Sequence, residues 1–150
     1  MSGAVISRKG AEMAEYFSFH ELIDSQTAKE YGINNMPNQL DIYRNLDYLM
    51  THLLDPLRRM MMQPIYVNSG YRSPVLNTIV RGARNSQHME GEAVDIQCKE
   101  KNDTLRMWVI IKSGVLQFDQ AILYTKKNFI HLSLKRQGEN RREILYNTDL

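Results

Sequence analysis

The chain has 150 residues, enough for one domain around a single core. Hydrophobic residues make up 43% and charged residues 24%, a globular composition that excludes intrinsic disorder. The 19 Lys and Arg against 17 Asp and Glu leave a net charge of +2, which gives no reason to expect a nucleic-acid partner.

The N-terminus, Met-Ser-Gly-Ala-Val-Ile-Ser-Arg-Lys-Gly, lacks the apolar stretch of a secretory signal, so the chain is expected to be cytoplasmic as made. Residues 1–16 show no clear period and read as a loose lead-in, leaving 17–150 as a single domain. Ser18-Phe19-His20-Glu21 reads as a capping box opening a short helix, and Gly32 as the end of that helical region. Leu46, Leu49, Met50, Leu53, Leu54, Leu57, Met60 and Met61 then recur at helical spacing and predict one buried stripe. Pro56 interrupts it and should kink the helix or end its first half.

Residues 64–67 are a strand candidate that runs into a loop over residues 68–74. Pro74 enters a short helix over 75–80, a polar loop covers 81–87, and residues 92–97 alternate as a strand. Asp103 is the expected cap of a helix over 104–113, closed by Gly114. The longest apolar run is Met107-Trp108-Val109-Ile110-Ile111, far short of the ~20 residues a membrane span requires. Residues 118–124 and 128–134 predict a β-hairpin around 125–127, and 142–146 a last strand. Helices come early and strands late, which predicts an α+β fold with a mostly antiparallel sheet.

Cys98 is the only cysteine, so neither an internal disulfide nor a thiolate cluster is available, and any metal site must use His, Asp or Glu. Four histidines are candidates. His52 falls in the helical stripe and reads as structural or surface. His20-Glu21 opens like an H-E-x-x-H zinc helix, but Asp24 stands where the second histidine belongs. His88 ends the polar loop, and Asp95 lies on the following strand between Val94 and Ile96. Alternation puts Ala93 and Asp95 on one face, with Glu92 and Val94 on the other. His131 is flanked by Ile130 and Leu132. A carboxylate in such apolar surroundings must be paired or bind a metal. On spacing alone, His88, Asp95 and His131 fit a metal site and hydrogen-bonded core polar residues equally.

The pattern Ser86-x-His88-x-x-Gly91-x-Ala93-x-Asp95, with Ile130-His131-Leu132-Ser133 downstream, resembles the metal motif of the zinc D-Ala-D-Ala carboxypeptidase family. That family includes D-Ala-D-Ala dipeptidases and phage L-alanyl-D-glutamate endolysins, and shares its fold with the Hedgehog signalling domain. The likeness extends from about Phe17 to Tyr146. It includes Leu54-Asp55-Pro56-Leu57-Arg58, Ser69-Gly70-Tyr71-Arg72-Ser73-Pro74-x-Leu76-Asn77 and Phe118-Asp119-Gln120.

The resemblance implies the Hedgehog/DD-peptidase fold and a cleft with one zinc ion on His88, Asp95 and His131. Three N and O ligands leave one position for water, the arrangement of catalytic zinc. It implies that Arg72 contacts the carbonyl or carboxylate of a peptidoglycan stem peptide, of the D-Ala or L-Ala-D-Glu type. A surface arginine paired with a nearby acid is the alternative for Arg72. Ser86 falls at a position near substrate, or serves a local turn hydrogen bond. Gln120 either hydrogen-bonds near the site or is structural. The oligomeric state is open. The lack of an export signal fits a phage or prophage protein released to the cell wall.

One position departs from the family. The general base is usually a glutamate four residues after the Gln, where this chain has Tyr124, or an acid three residues before the last histidine, where it has Asn128. Tyr124 shares a strand face with Gln120 and Ile122, so its side chain is expected to point toward the metal. Glu92 should face away, and Glu90 is the remaining acid within sequence reach. The two resulting readings are a zinc peptidase with a displaced or substitute base, and a zinc-containing pseudo-peptidase that binds cell-wall peptides or proteins.

Overall fold

The computed structural model describes residues 5–6 and 12–149. Most of the expected lead-in, residues 1–4 and 7–11, lies outside the described residues. Its described parts, β1 (Val5–Ile6) and β2 (Glu12–Met13), pair antiparallel.

Ser18 caps α1 (Phe19–Ile23) with the expected reciprocal bonds: its Oγ accepts from Glu21 N, and Glu21 Oε1 accepts from Ser18 N. Ser25 caps α2 (Gln26–Glu30) with a single bond, its Oγ accepting from Ala28 N. Gly32, at φ +64, closes it. Ile33 N donates to Ala28 O and Gly32 N to Lys29 O, the pair of bonds that satisfies a helix end around a left-handed residue.

The long stripe forms α3 (Leu40–Leu49), a π-helical turn (Met50–Leu54) and α4 (Asp55–Met61). Ile42, Leu46, Leu49, Met50, Leu53, Leu54, Leu57 and Met61 are all buried. Met60, expected in the stripe, is instead 42% exposed. Pro56 has no N–H to donate, and its ring crowds the carbonyl four residues back. The chain answers by widening the preceding turn rather than by breaking the helix. The buried Asp55 carboxylate accepts from Glu15 N at 2.6 Å and Tyr16 N at 3.0 Å, which ties the incoming chain to α4.

The strand expected at 64–67 is β3 (Tyr66–Ser69). After α5 (Pro74–Ile79) and a 3₁₀ turn (Gln87–Glu90) come β4 (Ala93–Gln97) and α6 (Lys101–Lys112). Helix α6 starts three residues before the sequence expectation. Its N-cap is Glu100, without a side-chain cap bond, and Asp103 sits in the first turn, where its negative charge complements the positive end of the helix dipole. Strands β5 (Gln120–Tyr124) and β6 (Phe129–Ser133) form the predicted hairpin, and β7 (Glu143–Asn147) follows.

The five strands order as β3-β4-β6-β5-β7. The first three pairings are antiparallel, and β7 joins β5 in parallel. The fold is therefore α+β. One sheet face, carrying Val94, Ile96, Ala121, Leu123, Ile130 and Leu132, packs with the helices in a single core. Period-2 alternation sends the neighbours of these residues to the other face, where the cleft lies. Among the described residues, no helix is long and apolar enough to cross a membrane.

Candidate metal centre

Asp95 and His131 are direct cross-strand partners of β4 and β6, so their side chains leave the sheet on the same side. His131 Nδ1 lies 3.1 Å from Asp95 Oδ1. His88 reaches the same oxygen from the 3₁₀ turn, with Nε2 at 3.3 Å. Exposure is 2% for the His88 side chain, 13% for His131 and 15% for Asp95, so all three are largely shielded from water.

His88 Nδ1 sits 2.7 Å from the Gly70 carbonyl, which can only accept, so Nδ1 carries the proton. In the neutral ring, Nε2 then presents a lone pair to a carboxylate oxygen. Two acceptors at this distance need a positive charge between them, either a second ring proton or a metal ion. One ligand atom from each of His88, Asp95 and His131 lies within 4.8 Å of the others. The donor set of two imidazole nitrogens and one carboxylate fits zinc with an open position. The carbonyl behind His88 is the kind of outer partner that orients a metal-ligating imidazole. Burial pushes the Asp95 carboxyl up, but His88 and His131 outweigh it and hold the group well below the usual carboxylate range. Asp95 is therefore ionised, as a ligand must be.

These residues lie in a cleft of about 1180 Å³. Arg72 sits in its wall with 14% exposure. Its Nη2 is 3.7 Å from Asp95 Oδ2, its Nη1 donates to Asn77 Oδ1 at 2.8 Å, and its Nε faces Ser69 Oγ at 3.3 Å. The pairing with an acid and the place beside the candidate ligands thus occur together. A register irregularity between Val67 and Ser69 brings Ser69 opposite Asp95, and the chain then turns so that Arg72 N donates to His88 O.

Tyr124 lines the cleft with Gln120 and Ile122, as the strand alternation predicts. Its ring stacks on Phe129, centroids 4.4 Å apart. Burial, and then the Asp95 charge, push its phenol above the ordinary value, so the hydroxyl stays protonated and can donate. Asn128, the other expected base position, adopts φ +56 and closes the hairpin by donating from N to Tyr124 O. Asn is among the few side chains that tolerate this conformation, so turn geometry accounts for its presence.

Ser86 lines the cleft, but its Oγ accepts from His88 N, the local turn bond. Gln120 also lines it and donates to Glu143 Oε1 at 2.7 Å. Glu90 does not line this cleft. It borders a separate pocket with Ile42 and Met89. Glu92 does not line the cleft, and its Oε1 accepts from Gln87 Nε2, which does. His20, Glu21 and Asp24 of the α1 region line the outer cleft, though His20 lies outside the ligand group. His52 stacks on Tyr48 at 4.0 Å and is structural.

Sequence reasoning missed the residues that hold the site together. Asn77 is buried, accepts from Arg72 and donates to Ala83 O. Asn35 bridges the Ile23 and Tyr71 carbonyls and accepts from Ser73 N, pinning the Arg72 loop to α1. Asp119 is fully buried and takes two guanidinium nitrogens of Arg141, with Nη2 at 2.7 Å, together with the Arg141 backbone N–H. Asn77 and Asp119 stand inside the motifs quoted above, but nothing local to either names its partner.

A family model described as Peptidase M15 matches residues 15–133. No curated protein matches the chain.

Proposed function

The chain belongs to the peptidase M15 family, and from that membership we propose that it hydrolyses an amide bond in peptidoglycan stem peptides, of the D,D-carboxypeptidase or L-Ala-D-Glu endopeptidase type. The family is zinc-dependent, and His88, Asp95 and His131 are the residues that would hold the ion. Bound there, zinc supplies a Lewis acid that polarises a carbonyl and brings the pKa of water to about 7. The observation that carries the reading is the convergence of His88 Nε2, His131 Nδ1 and Asp95 Oδ1 beside the Arg72 guanidinium.

The chain's own residues take the remaining roles. Arg72, fixed by Asn77 and Ser69, offers its fork to a substrate carbonyl or carboxylate, where a preplaced positive charge favours a developing oxyanion. The protonated Tyr124 hydroxyl donates a hydrogen bond to substrate rather than abstracting a proton. Phe129 and Tyr124 form an aromatic wall against which a peptide backbone lies, and which excludes water. Of the other carboxylates lining the cleft, Glu21 is held by Ser18 N and Asp24 by Lys29 Nζ at 2.8 Å. Proton abstraction therefore falls on water or on a group that shifts when substrate binds, and turnover is slow.

A second reading, a zinc-containing pseudo-peptidase that binds cell-wall peptides or proteins without cutting, is favoured by one observation: neither expected base position holds an acid. Both readings share the Hedgehog/DD-peptidase fold and a ligand that belongs to the cell wall. The deciding experiment incubates zinc-loaded protein with D-Ala-D-Ala-terminated and L-Ala-D-Glu-containing stem peptides and follows products by mass spectrometry. Cleavage that a chelator abolishes supports the peptidase. Binding without cleavage of any stem peptide refutes it and leaves the binding module.

A further inference from the structure

We propose that Arg81 is a specificity residue of the cleft: its guanidinium takes a free carboxylate of the bound peptide, away from the amide at the metal centre. The proposal deepens the stem-peptide reading and rests on it. Arg81 follows the last turn of α5. Its N–H donates to Thr78 O and the next N–H, of Gly82, donates to Asn77 O, so the helix ends around a left-handed residue. That residue is Arg81, at φ +59. Glycine is the ordinary occupant of such a position, because any Cβ there is strained.

Three other non-glycine residues adopt positive φ, and none of them lines the cleft. Asn128 is a type that tolerates the conformation. Met62 ends α4 in the same left-handed way, with an exposed side chain that lies outside the cleft. Arg142 uses the conformation to place Nη2 on the carbonyls of Gly114 and Leu116. Arg81 returns nothing to the fold: its exposed guanidinium has no hydrogen bond or ion pair with any described residue. It does line the cleft. Strain kept at a cleft wall without a structural return points to use by a ligand.

The other charges in the cleft are committed. Arg141 is bound to Asp119 and Glu143, and Arg72 to Asn77, Ser69 and Asp95. Among the described residues lining the cleft, Arg81 is the one guanidinium whose donors are all free. Its neighbour Gly82 packs against the Arg72 Nη1–Asn77 Oδ1 pair, so Arg81 springs from the chain beside the Arg72 anchor. A peptide whose scissile carbonyl lies at Arg72 therefore offers Arg81 a carboxylate from a nearby residue. The matching chemistry is a peptide with an isopeptide-linked acidic residue, whose α-carboxylate stays free. A carboxamide at that point has the same shape and no charge, and it tests the charge alone.

The test is calorimetric titration of zinc-loaded wild type, Arg81→Gly and Arg81→Lys with L-alanyl-γ-D-glutamyl-L-lysine and with its α-carboxamide analogue, together with thermal melting. A charge-assisted bond sets the expected effect. Arg81→Gly should weaken binding of the carboxylate peptide about tenfold or more and bind the carboxamide peptide as wild type does. Its melting temperature should hold or rise by a few degrees, because glycine relieves the strain. Arg81→Lys should keep part of the preference, with a stronger dependence on salt. Equal weakening of both peptides, or a lowered melting temperature with unchanged preference, overturns the proposal and makes Arg81 structural. Unchanged carboxylate binding in Arg81→Gly also overturns it, while cleavage of that peptide would leave the peptidase reading intact. A preference carried by Arg81 without any cleavage supports the proposal and refutes the L-Ala-D-Glu endopeptidase type. Absence of binding to either peptide by wild type refutes both the proposal and the L-Ala-D-Glu endopeptidase type.

Discussion

Replacing Tyr124 with glutamate puts a carboxylate where the family usually has its base. In the wild type, burial and the Asp95 charge raise the phenol above 10. Even at an unperturbed value near 10, fewer than about one phenol in 10³ is ionised at pH 7. Base catalysis through that minor form forfeits about 4 kcal/mol at 1.36 kcal/mol per tenfold, similar to the ~3 to 5 kcal/mol that a positioned general base supplies. A glutamate on the same face meets the same burial and the same Asp95 charge, both of which raise a carboxyl, while Arg72 opposes them. That moves it toward neutrality, where a general base works best. The side chain is shorter than tyrosine, so it acts through one water. Tyr124→Glu should therefore raise kcat on stem peptides by about 10²-fold, with KM changed by less than about threefold. Tyr124→Phe should lower kcat by about tenfold, the loss of one donor. The assay is steady-state cleavage of a zinc-loaded sample, read by chromatography. Wild-type turnover above about 1 s⁻¹, an ordinary enzyme rate, with both variants unchanged, would refute the reasoning and place the base elsewhere.

Purified protein should carry one zinc per chain, and His88→Ala or His131→Ala should remove it, read by elemental analysis; stoichiometric zinc in either variant would contradict the site. Adding chelator should lower the melting temperature of wild type but not of those variants, because the ion binds the folded state alone. Gly82→Ala should drive a methyl group into the Arg72–Asn77 pair and cost about 10²-fold in kcat/KM, since a displacement of about 1 Å at a positioning group costs that much, and it should also lower the melting temperature because Asn77 is buried. Asp119→Asn removes the charge of a buried carboxylate from its half-exposed Arg141 partner and should destabilise by about 1 to 3 kcal/mol in denaturant titration. Burial raises the Asp119 carboxyl, but its bonds from Arg141 outweigh that and hold it below 3.8. Its stabilisation is then complete above that ordinary value and lost as pH falls through the lowered folded one, so the gap between wild type and Asp119→Asn should close in acid.

The parts written in adjacent residues were legible in the sequence. The Ser18 capping box, the closure at Gly32, the apolar stripe and the β5–β6 hairpin each depend on spacings of two to four residues. The same local rule faced Asp95 and Tyr124 into the cleft, because strand side chains alternate whatever lies around them. Where a distant contact decides, the sequence was silent. The parallel placement of β7 depends on how the chain from β6 returns, and Arg141 on that return grips Asp119 from 22 residues away. The carbonyl that sets the His88 tautomer belongs to Gly70, 18 residues earlier. Arg72 is held in place partly because residue 82 has no Cβ to push Asn77 aside. Local propensity is a property of neighbours, and it assigned elements and faces. The tautomer, the anchored guanidinium and the Asp119–Arg141 pair exist only after loops close and bring together groups whose sequence separation carries no signal.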